Sequence, residues 1–541
     1  MNFLWVGHPD TKPSHRIAQG NPVPVTLLPL LAPAVLTIGG VSGLLGRGRR
    51  PRLCLGLAQA AAVAAVLVAL MSIVPVVLHG ADESPLLGTG GIGLSIRLDA
   101  VSATMLLLVA FVGWIVVRYA ATYLDGEARQ GAFMGWLCLT LASVLLLVLA
   151  GNLVQLVVAW VASSLSLHRL LLFYPDRVAA RRAARKKFVV ARIGDVALVG
   201  ATAILAFAYG TTDIAAILGA ARTGVGDGYA LAAAALLAVA AVLKSAQFPT
   251  HGWLTEVMET PTPVSALLHA GVITAGGFLL IRFADVMLLA PSVLAALVMI
   301  GGFTAIFGGL VMLTQPAVKT SLAWSTVAQM GFMVLECGLA LFPLALLHLV
   351  AHSLYKAHAF LASGGAVDTV AAIRRPGPVA IPRVGAVARA FLSALTIYVA
   401  VGFAFGLQHK SPQAIALGAI LIFGVAYLLA QGFADSAPKA LTRRTAFSAV
   451  AATISYFALH GLAGWLTAGV LPATPAPGPL EWALIVLAVT SFGLVAVVQA
   501  MFPLWAYHPA AAGLRVHLSN GFYANAVFDR LLRGWSVHNA S

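Results

Sequence analysis

His348, His352 and Lys356, in HLVAHSLYKAHAF, fall at i, i+4 and i+8 and therefore stack along one stripe of a helix. Neutral histidine, with an ordinary pKa of about 6.5, gives and takes protons near neutrality. Three titratable groups on one stripe of an otherwise apolar helix are poorly explained as packing, and they suit a chain of proton or cation hand-offs. Two histidines four apart also suit zinc, but no nearby Cys or carboxylate completes a site and the HExxH glutamate is absent, so no metal site is assigned. His358 falls on another flank and reads as a satisfied core histidine. A second group of candidates lies upstream. An apolar helix meets Lys244 and then breaks at Pro249, Thr250, His251 and Gly252; Pro261 and Pro263 restart a helix that carries His269. Asp195, with Arg192 three residues before it, lies in another apolar helix. A carboxylate and an ammonium on neighbouring helices can hold each other charged, as a relay or as a static pair fixing helix register, and both readings stand. Glu259, just ahead of the restarted helix, favours its N-terminus and can guide cations inward. Gln155, Gln329 and Glu336 are single polar residues in apolar helices and read as helix–helix hydrogen bonds.

The elements holding these residues must sit in a bilayer. Of 541 residues, 60% are hydrophobic and 9% charged, against about 25% charged in soluble domains. About fifteen apolar runs are long enough to span a membrane: roughly 23–45, 54–79, 99–121, 132–150, 152–174, 187–209, 228–246, 263–284, 291–314, 320–341, 343–364, 385–407, 412–432, 444–470 and 480–503. Lysine and histidine in such runs are costly unless they face a protein interior or a water path, and a helix broken at membrane depth is tolerated only there. SPLLGTGGIGLSIRLDA, between the second and third runs, has the turn chemistry of a surface hairpin.

The formal charge of +15 is no nucleic-acid footprint, because the cations cluster in short loops after odd-numbered runs: Arg47–Arg52, Arg177–Lys187, Arg374–Arg383 and Lys439–Arg444. The positive-inside rule then puts the N-terminus outside and the C-terminus in the cytoplasm. The three cysteines make neither a disulfide framework nor a zinc spacing. The polar first 22 residues do not resemble a signal-peptide n-region, so the run after them is a retained span. Glycines in TAGG (274–277) and LASGG (361–365) lack phosphate-loop context and read as close helix packing. With no soluble domain in the sequence, any catalytic centre is expected in another chain.

AVLKSAQFPTHGWLTEVMETPTPVSALLHAGVITAGGFLLIRF resembles the central motif of the antiporter-like membrane subunits of complex I and Mrp antiporters, as do VKTSLAWSTVAQMGFM (318–333), HLVAHSLYKAHAFLASG (348–364) and ARIGD (191–195). The tail NGFYANAVFDRLL resembles that of complex I subunit 5-type members. Within that superfamily, SLSLHRLLLFYPDR (164–177) and RRAARKKF (181–188) resemble the DabB membrane subunits of the DAB inorganic-carbon accumulation complex. The resemblance implies an all-α polytopic fold of the antiporter-like type, with about 13–15 transmembrane helices, inverted repeats and a broken seventh helix. It divides the chain into a polar segment (1–22), N-terminal spans with the hairpin (23–130), an antiporter-like core (131–432), C-terminal spans (433–507) and an amphipathic tail (508–541) that docks on a membrane or partner surface.

The function implied is non-enzymatic: an H⁺- or Na⁺-conducting subunit of the bacterial inner membrane, along Lys244, His269, Asp195, His348, His352, Lys356 and Glu259. The implied partner is a cytoplasmic DabA-like zinc protein that hydrates CO2; zinc is expected there, with no cofactor in this chain. Rival readings are a proton-pumping subunit of a respiratory NADH dehydrogenase or hydrogenase, an Mrp-type Na⁺/H⁺ antiporter subunit, and a structural anchor. Two departures from the superfamily matter. Trp160-Val161 lacks the usual fifth-span glutamate, leaving Asp195 as the candidate substitute, and LTIYVAVGFAFGLQHK in the twelfth run has its only charge at its end, Lys410.

Overall fold

A computed structural model describes residues 25–46, 48–365, 384–432, 439–501 and 508–532. After a 3-10 turn over Val25–Leu30 come α1 (Leu31–Leu45), α2 (Arg52–His79) and four short strands, β1 (Asp82–Glu83), β2 (Leu87–Thr89), β3 (Ile92–Leu94) and β4 (Arg97–Leu98). They are followed by α3 (Ala100–Tyr123), α4 (Gln130–Val148), α5 (Leu153–Leu171), α6 (Val178–Tyr209), α7 (Ile214–Arg222) and α8 (Asp227–Lys244). The chain then breaks into α9 (Gly252–Thr255), α10 (Thr262–Ala270), α11 (Ala275–Arg282) and α12 (Ala284–Leu288) before α13 (Pro291–Met312), α14 (Val318–Gly338) and α15 (Phe342–Ala362). The rest holds α16 (Val384–Ala404), α17 (Pro412–Gly432), α18 (Lys439–Leu466), α19 (Pro479–Ala500), α20 (Pro509–Ser519) and α21 (Ala524–Leu532).

Each expected apolar run is helical over its described residues, the eighth in two pieces. Among the described residues, 11 helices, with α10–α11 counted as one, are both long and apolar enough to cross a membrane. Apolar but shorter stretches lie in α8 and α17. The 21-residue α14 and α15 fall below that hydropathy because they carry the polar groups of the site. Large apolar side chains such as Leu53, Val196, Phe207, Leu392 and Leu494 cover the outer faces, as lipid contact requires. One large buried cluster runs from α1 through α15. Smaller ones tie α13–α15 to α17 and α19, and join α16, α17 and α18.

The hairpin forms as two antiparallel pairs, β1 with β4 and β2 with β3. Its end builds the first turn of α3: the Asp99 carboxylate accepts from Ser102 N at 2.8 Å, and the Ser102 hydroxyl accepts from Asp99 N. Arg97 pairs with that carboxylate at 2.9 Å, and Arg282 at the end of α11 reaches it from across the bundle. Burial opposes ionisation of Asp99, but Arg282 and Arg97 outweigh it and hold the carboxyl well below the usual carboxylate range. Gln155 serves the same region, accepting from Ser95 N at 2.9 Å and donating to Leu146 O.

The fold differs from the sequence reading in four places. Helix α6 starts at Val178, so Arg181 to Lys187, expected in a loop, occupy its first turns, with Lys186 and Lys187 buried. The eighth run is itself broken, with a 3-10 turn over Val272–Thr274 between α10 and α11. A side chain at Gly276 would strike Ala241 O and one at Gly277 the Met333 thioether, so TAGG packs closely as read, but a side chain at Gly364 of LASGG would enter open space. His358 is exposed rather than in the core, because two residues past Lys356 turns it to the opposite side of α15. The N-terminal 22 residues, Arg374, Arg375, Arg383 and Trp535 lie outside the described residues.

Candidate ion path

Lys244 is the last residue of α8, where the helix yields to the broken segment. Its ammonium sits over the indole of Trp160, with Nζ 4.3 Å from the ring centroid. Trp160, buried on α5, donates Nε1–H to Asp195 Oδ1 at 3.0 Å, and Arg192 meets Asp195 Oδ2 at 2.6 Å. The i, i+3 spacing does pair Arg192 with Asp195. Among the described residues no ion pair joins Lys244 to Asp195: the indole stands between them, offering its electron-rich face to the cation and its N–H edge to the carboxylate.

Past the break, α10 carries His269, fully buried and stacked on Phe360 at 4.3 Å, with Nδ1 3.0 Å from Thr326 Oγ1. The interruption at Gly271 follows two residues later and frees backbone carbonyls that the apolar surroundings cannot satisfy. Side chains satisfy them instead. His352 Nε2 donates to the His269 carbonyl at 3.2 Å, Thr274 Oγ1 donates to Gly271 O, and Ser245 Oγ donates to Ile273 O. A helix break therefore joins the histidine of α10 to the α15 stripe, and Ser245, the residue after Lys244, ties the break to the end of α8.

The stripe itself faces inward. His352 and Lys356 are buried, and Lys356 Nζ donates to Leu322 O on α14 at 3.0 Å. At the other end, His348 Nδ1 lies 2.9 Å from Glu336 Oε2 and its Nε2 lies 2.9 Å from Gln329 Oε1. The His348 and His352 rings are 6.2 Å apart. Beside His348 opens a cavity of about 410 Å³ whose wall includes Glu336, Gln329, Tyr398, Thr453 and Tyr456. Glu259 does not join these residues: it makes a half-exposed ion pair with Arg177 at 3.2 Å. Its neighbour Glu256 takes the inward role, 2.5 Å from buried Lys186, which also meets Asp529 of α21 at 2.7 Å. Burial pushes the Glu256 carboxyl up, against the pull of Lys186. The tail thus docks on the broken segment: Asn525 lies against Gly252 and Thr255, Phe522 packs on Phe307, and Gly521 lies against Trp324.

The sequence matches the family described as NADH:quinone oxidoreductase/Mrp antiporter, TM, over residues 150–375, and that described as NADH-Ubiquinone oxidoreductase (complex I), chain 5 N-terminus, over residues 87–134. It is 37% identical over 464 residues to the "Probable inorganic carbon transporter subunit DabB2" of Halothiobacillus neapolitanus, covering 84% of this chain and 83% of that protein. The chain belongs to the DabB family. A second relative, the "Probable inorganic carbon transporter subunit DabB" of Hydrogenovibrio crunogenus, is 46% identical over 283 residues, 51% of this chain and 54% of that protein. The fold is shared with a solved Mrp complex from Dietzia sp. DQ12-45-1b, at a TM-score of 0.59 and 22% identity, covering 96% of this chain and 61% of that one. This DabB-family chain is therefore a multi-pass membrane protein of antiporter-like fold.

In this DabB-family chain Glu336 and Gln329 form the helix–helix hydrogen bonds expected of them, and the partner of both is His348 of α15, which the spacing alone does not identify. Lys187, expected in a basic loop, has its amino group buried against Ser164 of α5 instead, donating to Ser164 O at 2.6 Å and Oγ at 2.8 Å. The available signal was helical phase: Lys187 and Asp195 are eight residues apart and share a face of α6.

Proposed function

We propose that this chain is the ion-conducting subunit of a complex that accumulates inorganic carbon, moving H⁺ or Na⁺ inward and using that flow to make CO2 hydration in a cytoplasmic zinc-bearing partner effectively one-way. The observation that carries the reading is the row of polar groups through the bundle: half-buried Lys244 on Trp160, then buried His269 and His352, half-buried His348 with buried Glu336, flanked by buried Lys356. Buried ionisable groups in spanning helices are expensive, and a conduction path is what repays their retention. The relatives named as inorganic-carbon transporter subunits support the substrate class. One charge moving through 100 mV releases about 2.3 kcal/mol, enough to bias hydration by more than tenfold. A zinc would be held by the partner and would supply the Lewis-acid chemistry of hydration there; this chain supplies ion flow and a docking face. The basic start of α6 and the docked tail belong on the cytoplasmic side in this reading, with the N-terminus outside.

Co-expression with the partner in cells lacking carbonic anhydrase should restore growth in air, and Lys244→Ala should abolish it. Full growth with that variant would remove the lysine from the mechanism. A protonophore and a sodium ionophore, applied separately to bicarbonate-accumulating cells, identify the ion.

A further inference from the structure

From α13 through α18 the chain carries a single carboxylate, Glu336 of α14, and it is buried. Helix α14 ends at Gly338, and a short turn, in which Leu341 N donates to Glu336 O at 2.9 Å, leads into α15. That hairpin sets His348, in the second turn of α15, against the carboxyl group, with Nδ1 2.9 Å from Glu336 Oε2. The other ring nitrogen, Nε2, lies 2.9 Å from Gln329 Oε1. An amide oxygen only accepts, so Nε2 carries a proton. Bare lone pairs on Nδ1 and Oε2 would repel at 2.9 Å, so one further proton lies between them. The pair is then neutral as a whole, either as imidazolium with carboxylate or as imidazole with carboxylic acid.

A static contact between helices does not require an acid here. Gln329 serves the far edge of the same ring with a neutral amide. A carboxyl group in a spanning helix is costly, and its retention marks an ion route. The cavity of about 410 Å³ beside the pair has no ionisable acid or base in its wall, among the described residues, other than Glu336, His348 and two tyrosines. The titratable groups around the pair are Cys337, next to Glu336 and buried, His352, whose ring lies 6.2 Å from that of His348, and Tyr398 of α16 and Tyr456 of α18 across the cavity. Both phenols are already engaged, donating to Ile415 O and Ala414 O at 3.2 Å each. Glu336 and His348 therefore have each other as the natural partners for a shared proton.

We propose that Glu336 is a proton-carrying residue of the path, exchanging a proton with His348 by direct contact. In the inward step the Oε2–H bond of Glu336 breaks as an Nδ1–H bond forms on His348. Glu336 ends as the carboxylate and His348 as the imidazolium, while Nε2–H stays on Gln329 Oε1 throughout. No group has to turn and nothing has to lie between the two atoms. Gln329 is a positioning residue: by occupying Nε2 it holds the ring and leaves Nδ1 as the exchanging nitrogen. With the N-terminus outside, the turn between α14 and α15 faces the outer side, which makes this pair the outermost station of the α15 stripe. The role rests on the proposed conduction along that stripe and commits this stretch of it to protons.

The test measures proton uptake by vesicles holding the whole complex, driven by an imposed membrane potential. Glu336→Gln is isosteric and keeps a hydrogen-bonding group between the helices, yet should lose on the order of a hundredfold in rate, with the partner still co-purifying. Its residual flux should move to lower pH, because the imidazolium has lost its counter-charge. Glu336→Asp, which keeps the carboxyl group, should recover part of the rate. A wild-type rate in Glu336→Gln overturns the proposal, and so does a loss of rate with an unchanged pH profile, since either marks a static hydrogen bond. Lys244→Gln separates the layers: a wild-type rate there removes the functional reading itself, whereas loss there with a normal Glu336→Gln removes only the role of Glu336. Should the Glu336 variants fail to assemble, a high-resolution map of the wild-type complex decides: Glu336 in hydrogen-bond contact with His348 Nδ1 supports the exchange, and Glu336 turned to another partner overturns it.

Discussion

Trp160 is where the function can be weighed against packing most directly. Its indole face holds the Lys244 ammonium at 4.3 Å and its N–H holds Asp195 at 3.0 Å. Trp160→Phe keeps an aromatic face and deletes the donor. A hydrogen bond to a charged group contributes about 1.5–3 kcal/mol, so Asp195 loses that much and keeps Arg192 alone. Trp160→Leu also deletes the cation–π contact, a further loss of up to about 2 kcal/mol in a desolvated setting. Expressed fully in the transport barrier, the first loss slows uptake by about 10- to 150-fold. The decisive measurement is a double-mutant cycle on uptake in vesicles, because it cancels the cavity left by the smaller ring. Trp160→Phe should couple to Asp195→Asn by about 1.5–3 kcal/mol, and to Lys244→Gln by less than about 1 kcal/mol, since the face survives. Additive effects of Trp160→Phe and Asp195→Asn would refute the view that the indole mediates between cation and carboxylate.

Asp99→Asn should destabilise the bundle by about 3–5 kcal/mol by leaving Arg282 and Arg97 without their buried carboxylate, read as a lowered melting temperature of the detergent-purified complex. Because the folded carboxyl lies below its unfolded value of 3.8, its stabilisation is complete above that pH and is lost as pH falls toward the folded value, so wild-type melting should show no pH dependence from this group between about pH 8 and 5. Gly252→Ala places a methyl group 1.9 Å from Asn525 Oδ1, which should push α21 off the broken segment and expose the tail to limited proteolysis; a tail as protected as wild type would show that Asn525 swings away instead.

How much of the site could be read in advance follows from which interactions are local. Helical phase alone put His348, His352 and Lys356 on one stripe, and hydropathy alone located the helices, because a span must be apolar for about 20 residues whatever packs on it. Partners brought from distant positions had no such signature. Nothing in the spacing says that the helix–helix hydrogen bond of Glu336 goes to His348, or that Glu256 rather than Glu259 turns toward Lys186. The fifth-span position Val161 made Asp195 the natural substitute carboxylate, but only the packing of α5 against α6 placed an indole between that carboxylate and Lys244.

The sequence by itself determined that this chain lives in a membrane and that titratable side chains interrupt its spans, since both are matters of composition or short-range periodicity, while the likeness of its motifs to known ones carried the family. Only the tertiary structure decided who meets whom: the break at Gly271 hands a backbone carbonyl to His352, and the early start of α6 buries Lys187 beside the cavity it shares with Lys244. Such contacts depend on how helices rotate and approach one another, and in a bilayer that is set by small-residue packing and polar matching spread over the whole bundle.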